Sequence, residues 1–261
     1  MPSISFLGTG SGFPSGERFF SSSLLIIAGK HLLVDAGEPC VHLLRYRGDL
    51  ICEIDAILIS HGHVDHVGGV PALLQGAMML ERKKPLVIYL PQEMITPLRA
   101  WIRALYLTEE GFGFSLVWRA WNSGLPSDLG GGISVTPHLN SHLKFSYQAL
   151  SGFDATRPCQ SFSLEVVAGD FRALFSGDLS SASELMPMLT RPTDVLVTEL
   201  SHFSADQLAD VLGGTPVHSL CLVHLSEEYA NDRSGLREKL ERLLPSLNDV
   251  MVPEDGEVLD F

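Results

Sequence analysis

The sequence predicts an α/β protein in which two β-sheets pack together with helices outside. Three observations point there. Short apolar, β-rich runs recur along the chain, helical patterns lie between them, and strands precede helices once in each half. Of the 261 residues 45% are apolar, enough for a substantial core. No Pro/Gly/Ser linker, low-complexity tract or block of charge divides the chain, so a single domain over residues 1–261 is expected.

Taken in order, "SSSLLIIAGKHLLVDAG" reads as a hairpin turning at Gly29-Lys30, its second strand ending at Asp35. "IDAILISHGH" is a strand ending at Ser60 and His61, and "VPALLQGAMMLERKK" is a helix after it. "TPLRAWIRALYLTEEG" has helical spacing and a glycine stop. "GISVTPHLNSH" leads to His138 and His142, "DFRALFSGDL" to Asp178, and "TDVLVTELSH" to Glu199 and His202. "ADQLADVLGG" is a helix with a Gly pair suited to its C-cap, and "HSLCLVHLS" is a strand carrying His224. "SGLREKLERLLPSL" is an amphipathic helix with Leu236, Leu240, Leu243 and Leu244 on one stripe. Ligand-type residues at the C-terminal ends of several strands gather on one rim, where α/β folds place their sites.

Charge and cysteine usage narrow the function. A formal net charge of −13 repels long phosphate backbones and anionic membranes, and the 18 Lys+Arg are scattered. Cys40, Cys52, Cys159 and Cys221 show no CxxC spacing and read as reduced thiols. With no signal-peptide pattern in "MPSISFLGTG" and no apolar run of membrane-spanning length, a cytoplasmic protein is expected.

The segment "SHGHVDHVGG" carries the chemistry. Alternate residues of an extended chain project to one side, so His61 and His63 can reach one ion across Gly62. Asp65 and His66 follow one short turn later and can face a second ion, while Gly68 and Gly69 allow a tight turn into the next helix. Imidazole and carboxylate suit first-row divalent ions. A structural zinc site would normally be closed by four ligands, often thiolates, and no cysteine lies near.

"HGHVDH" matches the H-x-H-x-D-H signature of the metallo-β-lactamase superfamily. "LLVDAG" resembles its first motif and "SGD" its bridging-aspartate motif. "FLGTGSG" and "LVHLSEEY" resemble the opening and closing motifs of the ribonuclease Z and phosphodiesterase branch. The resemblance covers residues 4–260. It implies a four-layer αββα sandwich of two mixed β-sheets with helices on the outer faces. It implies that His61, His63 and His142 hold one ion, that Asp65, His66 and His224 hold another, and that Asp178 bridges them. "HLNSH" offers both His138 and His142; the family's spacing from Val135 selects His142. Asp35 resembles a residue that orders the cluster by hydrogen bonds. The ions are expected to be two Zn²⁺, with Mn²⁺ or Fe²⁺ also fitting the ligand set.

The reaction so implied is hydrolysis by metal-bound hydroxide, with Asp65 among the catalytic residues. "TELSH" stands where ribonuclease Z relatives carry "HEATF". Glu199 matches the motif glutamate, but Thr198 replaces the histidine before it. His202, three residues on, could serve as general acid oriented by Glu199; the alternative is an ordinary rim histidine paired with a carboxylate. Phe112, Phe114, Trp118 and Trp121 read as pocket or core, and Lys144 and Arg157 as contacts for a substrate anion or as solvated charges.

Residues 92–132 contain no basic cluster that could grip a tRNA. That absence and the −13 charge favour a small phosphodiester, such as a cyclic nucleotide or alkyl phosphodiester, over tRNA 3′ processing. Lactone or thioester hydrolysis is the alternative enzymatic reading. A non-catalytic metal-binding sensor ranks lower because all seven ligand positions are filled. A homodimer is suggested by the resemblance alone.

Overall fold

The computed structural model of the chain describes residues 1–48, 50–144 and 158–261. The chain divides into two compact units. The first comprises residues 1–121, 155–160 and 254–260, the second residues 122–154, 161–253 and 261.

In the first unit β1 (Ser3–Gly8), β2 (Ser22–Ile27), β3 (Lys30–Val34), β4 (Ala56–Leu58), β5 (Leu86–Leu90) and β6 (Leu116–Ala120) form a mixed sheet. A late strand, Val258–Asp260, pairs antiparallel with β1 and completes seven strands. β1, β2 and β3 run antiparallel, whereas β3 to β6 are parallel. The parallel strands are nearly continuous apolar runs, as burial demands. The hairpin turns at Ala28-Gly29, one residue earlier than expected. Both residues have positive φ (47° and 75°), the backbone of a tight two-residue hairpin turn.

Helices α1 (Cys40–Tyr46), α2 (Val64–Val67), α3 (Val70–Met79) and α4 (Gln92–Ala104) belong to this unit. Leu44, Leu73, Leu74, Leu98 and Ile102 pack with Leu24, Leu33, Ile57, Ile88 and Leu90 in one apolar core. Phe112 and Phe114 lie in that core, stacked 5.3 Å apart, the core reading of the two that the sequence offered. Trp121 is buried and its Nε1–H donates to the Ile59 carbonyl. α3 ends before the "ERKK" of its expected span. Glu81 takes a positive φ of 54°, and the buried Arg82 donates to the carbonyls of Ile51, Cys52, Ile54, Lys84 and Pro85. Its guanidinium thus satisfies loop carbonyls that no strand reaches.

The second unit holds a mixed sheet of β7 (Ser127–Gly130), β8 (Ile133–Asn140), β9 (Ser161–Ala168), β10 (Phe171–Phe175), β11 (Thr193–Leu200), β12 (Val217–Leu225) and β13 (Asp249–Met251), in that spatial order. β7 to β10 are antiparallel and β10 to β13 parallel. α5 (Ala205–Leu212), α6 (Glu227–Asn231) and α7 (Arg233–Leu243) accompany it. Leu208, Leu212, Leu236 and Leu240 bury against Leu174, Leu196, Leu220 and Leu222. α5 starts with a capping box, Ser204 with Gln207, and stops at Gly213. Among the described residues no helix is long and apolar enough to cross a membrane.

Candidate metal centre

In the first unit β3 and β4 run parallel, so their C-terminal ends lie side by side. β3 delivers Asp35 and β4 delivers Ser60 and His61, while α2 carries Asp65 and His66. The backbone stitches these loops together: Ala36 N–H donates to the His66 carbonyl and Gly69 N–H to the Ala36 carbonyl, both at 2.7 Å. A Cβ on Gly37 would stand 2.2 Å from the Asp65 carbonyl oxygen, so only glycine allows this approach. Asp35 itself has a φ of 56°, the kind of cost that persists when surrounding contacts hold it.

Those contacts decide which imidazole nitrogens carry protons. Asp35 accepts from Ser60 N–H (2.7 Å) and Ser60 Oγ–H (2.9 Å), and it lies 2.7 Å from His66 Nδ1. A carboxylate partner requires the Nδ1–H tautomer of neutral His66, which leaves the Nε2 lone pair for a metal. Ser60 has already given its one hydroxyl proton to Asp35. Towards His61 Nδ1, 3.0 Å away, it therefore accepts, and His61 is held in the same tautomer. His61, Asp65 and His66 are buried. The rings of His63 and His66 lie 4.6 and 4.1 Å from that of His61.

The opening glycine loop borders this cluster. Thr9 donates through N–H and Oγ–H to Asp255 Oδ1 (2.8 and 2.6 Å), Phe19 N–H donates to Asp255 Oδ2, and Gly10 N–H to the Phe19 carbonyl. The loop so closed brings Gly12 against Asp65, where a Cβ would meet Oδ2 at 3.1 Å.

In the second unit the parallel strands β10, β11 and β12 end on one rim and present Asp178, Glu199 to His202, and His224. His142 follows the end of β8, its N–H donating to Asn140 Oδ1. Asp178 Oδ2 is 3.5 Å from His142 Nε2 and 3.4 Å from His224 Nε2. In the first unit His66 Nε2 is likewise 3.4 Å from Asp65 Oδ2. Two ligands at about 2.0–2.1 Å from one tetrahedral ion stand roughly 3.3–3.4 Å apart, so these separations fit neighbours on a coordination polyhedron. Asp178, His202 and His224 each offer a ligand atom, all within 4.8 Å of one another. This places His202 in donor company that its position in "TELSH" alone does not reveal.

The same proton logic operates here. Ser201 Oγ–H donates to Glu199 Oε2 at 3.0 Å, so it accepts from His224 Nδ1 at 2.9 Å. His224 Nε2 is thereby turned to Asp178, and the residue holds a positive φ of 48°. Glu199, buried, also accepts from the N–H groups of Leu179, Ser201 and His202. Both its oxygens lie 2.8 Å from His202 Nδ1. The His202 side chain is 37% exposed, and its ring sits 4.8 Å from that of His142 and 5.9 Å from that of His224.

His138 takes a different part. Its Nε2 is 3.1 Å from Oε2 of the buried Glu165, which the buried Arg172 and the exposed Arg191 also engage. Burial raises the Glu165 pKa, but His138 and the two arginines outweigh it and bring the group down to about 2. Lys144 N–H donates to the Ser141 carbonyl, and Arg157 lies outside the described residues. Ser201 and Ser141, absent from the sequence-based candidates, act by side-chain hydrogen bonds that no spacing rule encodes.

Among curated proteins the chain is similar to ribonuclease Z of Pseudomonas putida strain F1, 28% identical over 289 aligned positions, covering 87% of this chain and 85% of that one. Among solved structures it is similar to the metallo-β-lactamase fold protein YhfI from Bacillus subtilis (TM-score 0.76, 18% identity, 99% of this chain and 98% of that one). It is also similar to the short form of human tRNase Z (TM-score 0.74, 21% identity, 99% and 98%). The structural likenesses carry the α/β sandwich of the metallo-β-lactamase fold. The curated similarity agrees with the ribonuclease Z-like branch that the motifs resemble, and the His/Asp groups of this chain could hold a divalent ion. Residues 2–233 match the family described as Anti-Pycsar protein Apyc1, and the chain belongs to that family.

Proposed function

We propose that this chain is a divalent-metal-dependent phosphodiesterase acting on a small anionic phosphodiester. In this reading the chain is a single catalytic domain, and the ligand assignment is the one the family resemblance implies. His61, His63 and His142 are ligands of one ion, Asp65, His66 and His224 of a second, and Asp178 is shared. The observation that carries it is the pair of serine–carboxylate relays, Asp35 with Ser60 and Glu199 with Ser201. They fix three histidines in the Nδ1–H tautomer, in which Nε2 is the nitrogen able to ligate a metal. Structural charge pairs would not need that tautomer. Two ions held there, Zn²⁺ by ligand type, would acidify a water and stabilise charge on the attacking and leaving oxygens.

The chain's own residues do the rest. Glu199 receives the Nδ1–H of His202 and keeps that ring oriented, so Nε2 is the atom through which His202 passes a proton to the leaving oxygen. The relatives named ribonuclease Z are, by that name, enzymes that cleave the phosphodiesters of RNA, which supports the bond type. The size of the substrate is inferred from this chain. Its net charge is −13, and Gln92 to Gly132 contains α4, a 3₁₀ turn and the strands β6 and β7, with Arg99 already paired to Glu109. A polyanion would be repelled, whereas a single phosphodiester could be drawn to the ions.

The test is metal analysis of the purified protein together with a substrate panel. It should contain about two ions per chain and hydrolyse bis-p-nitrophenyl phosphate and a cyclic nucleotide. Preferential turnover of a thioester or lactone would replace the phosphodiester reading, and efficient cleavage of a tRNA precursor would replace the small substrate.

A further inference from the structure

We infer that Glu184 is a positioning residue that sets the spacing between His142 and Asp178, an inference that rests on the metal reading above. The two candidate ligands leave the ends of β8 and β10, and these strands are not neighbours: β9 lies between them. Among the described residues no backbone ladder ties the two loops directly, yet His142 Nε2 and Asp178 Oδ2 are held 3.5 Å apart.

One carboxylate spans the gap. Glu184 Oε1 accepts both the N–H (2.8 Å) and the Oγ–H (2.7 Å) of Ser141, the residue before His142. Its Oε2 accepts the N–H of Ser180, two residues after Asp178, at 2.8 Å. Another link, Asn140 Nδ2 to Ser163 Oγ and Ser163 Oγ–H to the Ser176 carbonyl, includes a long step of 3.4 Å. Glu184 sits in the first turn of the 3₁₀ segment Ala182–Met188, anchored by the burial of Ala182, Leu185 and Met188. The brace therefore stands on a fixed base. Three donors converging on two oxygens use the acceptor capacity that only a carboxylate offers at both ends.

Glutamine is the informative substitution because it keeps the shape. Its amide has one acceptor and one donor group, so at either Ser141 or Ser180 an N–H would face an N–H. One end of the brace must open. Residues that orient metal ligands typically cost about 10–100-fold in affinity when changed.

The experiment measures Zn²⁺ affinity of the whole chain by competition with a chromophoric chelator, with melting of the metal-free protein measured in parallel. Glu184→Gln is expected to weaken at least one of the bound ions by about 10–100-fold while the metal-free Tm stays near the wild-type value. Ser183→Ala, on the same turn with its hydroxyl bonded to that of Ser181, is expected to leave affinity unchanged. Unchanged affinity in Glu184→Gln overturns the positioning role. So does a weakening matched by loss of metal-free stability, which assigns Glu184 to folding alone. A wild-type chain that takes up no ion overturns the metal reading and this inference with it.

Discussion

Asp35 Oδ2 lies 2.7 Å from His66 Nδ1, and the same carboxylate holds both the N–H and the hydroxyl of Ser60. One buried side chain thus orients two candidate ligands, His66 directly and His61 through Ser60. Asp35→Ala removes both restraints. It should lower Zn²⁺ affinity by about 10–100-fold, measured by chelator competition. Affinity within a factor of two of the wild type would show that the ligand geometry does not depend on this contact.

His202 is bracketed by Glu199 on one side and by the rings of His142 and His224 on the other. A proton donor matters most when the departing oxygen is strongly basic. His202→Ala should therefore reduce kcat on an alkyl diester by about 10²–10⁴-fold. On a p-nitrophenyl diester, whose leaving group needs little help, the loss should be far smaller. Equal loss on both would point to metal binding or ring packing as the residue's role, and stoichiometric metal analysis of the variant separates those.

Glu165 predicts the acid limit of folding. Its pKa of about 2 in the folded chain lies below the ordinary carboxylate value near 4.5. A depressed folded-state value means that stability is fully present above the unfolded pKa and is lost as pH falls from about 4.5 towards 2. Glu165→Gln should flatten that decline in an acid titration of Tm. It should also destabilise the protein at neutral pH, on the order of 3 kcal/mol, because Arg172 is left buried with a neutral partner. A wild-type-like slope between pH 4.5 and 2 would remove Glu165 as the controlling group.

The parts legible in the sequence were those written as local periodicity. The "HGHVDH" spacing, the Gly213 helix stop and the 233–243 helix need only short-range rules and appear where those rules put them. The exception is Leu243, expected on the apolar stripe, which is exposed, while Leu244 buries from the cap position. α4 begins at Gln92 rather than near Thr96, because Pro97 looks like a first-turn proline but sits inside the helix. α3 stops early because Arg82 is claimed by carbonyls some 30 residues away in sequence. The proton relays are invisible to spacing for the same reason. Ser60 and Ser201 matter through hydrogen-bond partners that only the folded backbone brings within 3 Å.

The Asp255 clamp ties the tail of the chain to its opening loop, and Val258–Asp260 adds the edge strand beside β1. The loop whose Gly12 rests on Asp65 is thus moored by residues that contribute no ligand and no chemistry. Proteolytic clipping after Pro253 would cut that mooring while leaving every histidine and aspartate of the candidate centre in the chain. An inactive preparation with full ligand composition would then be traced first by mass spectrometry of its C-terminus.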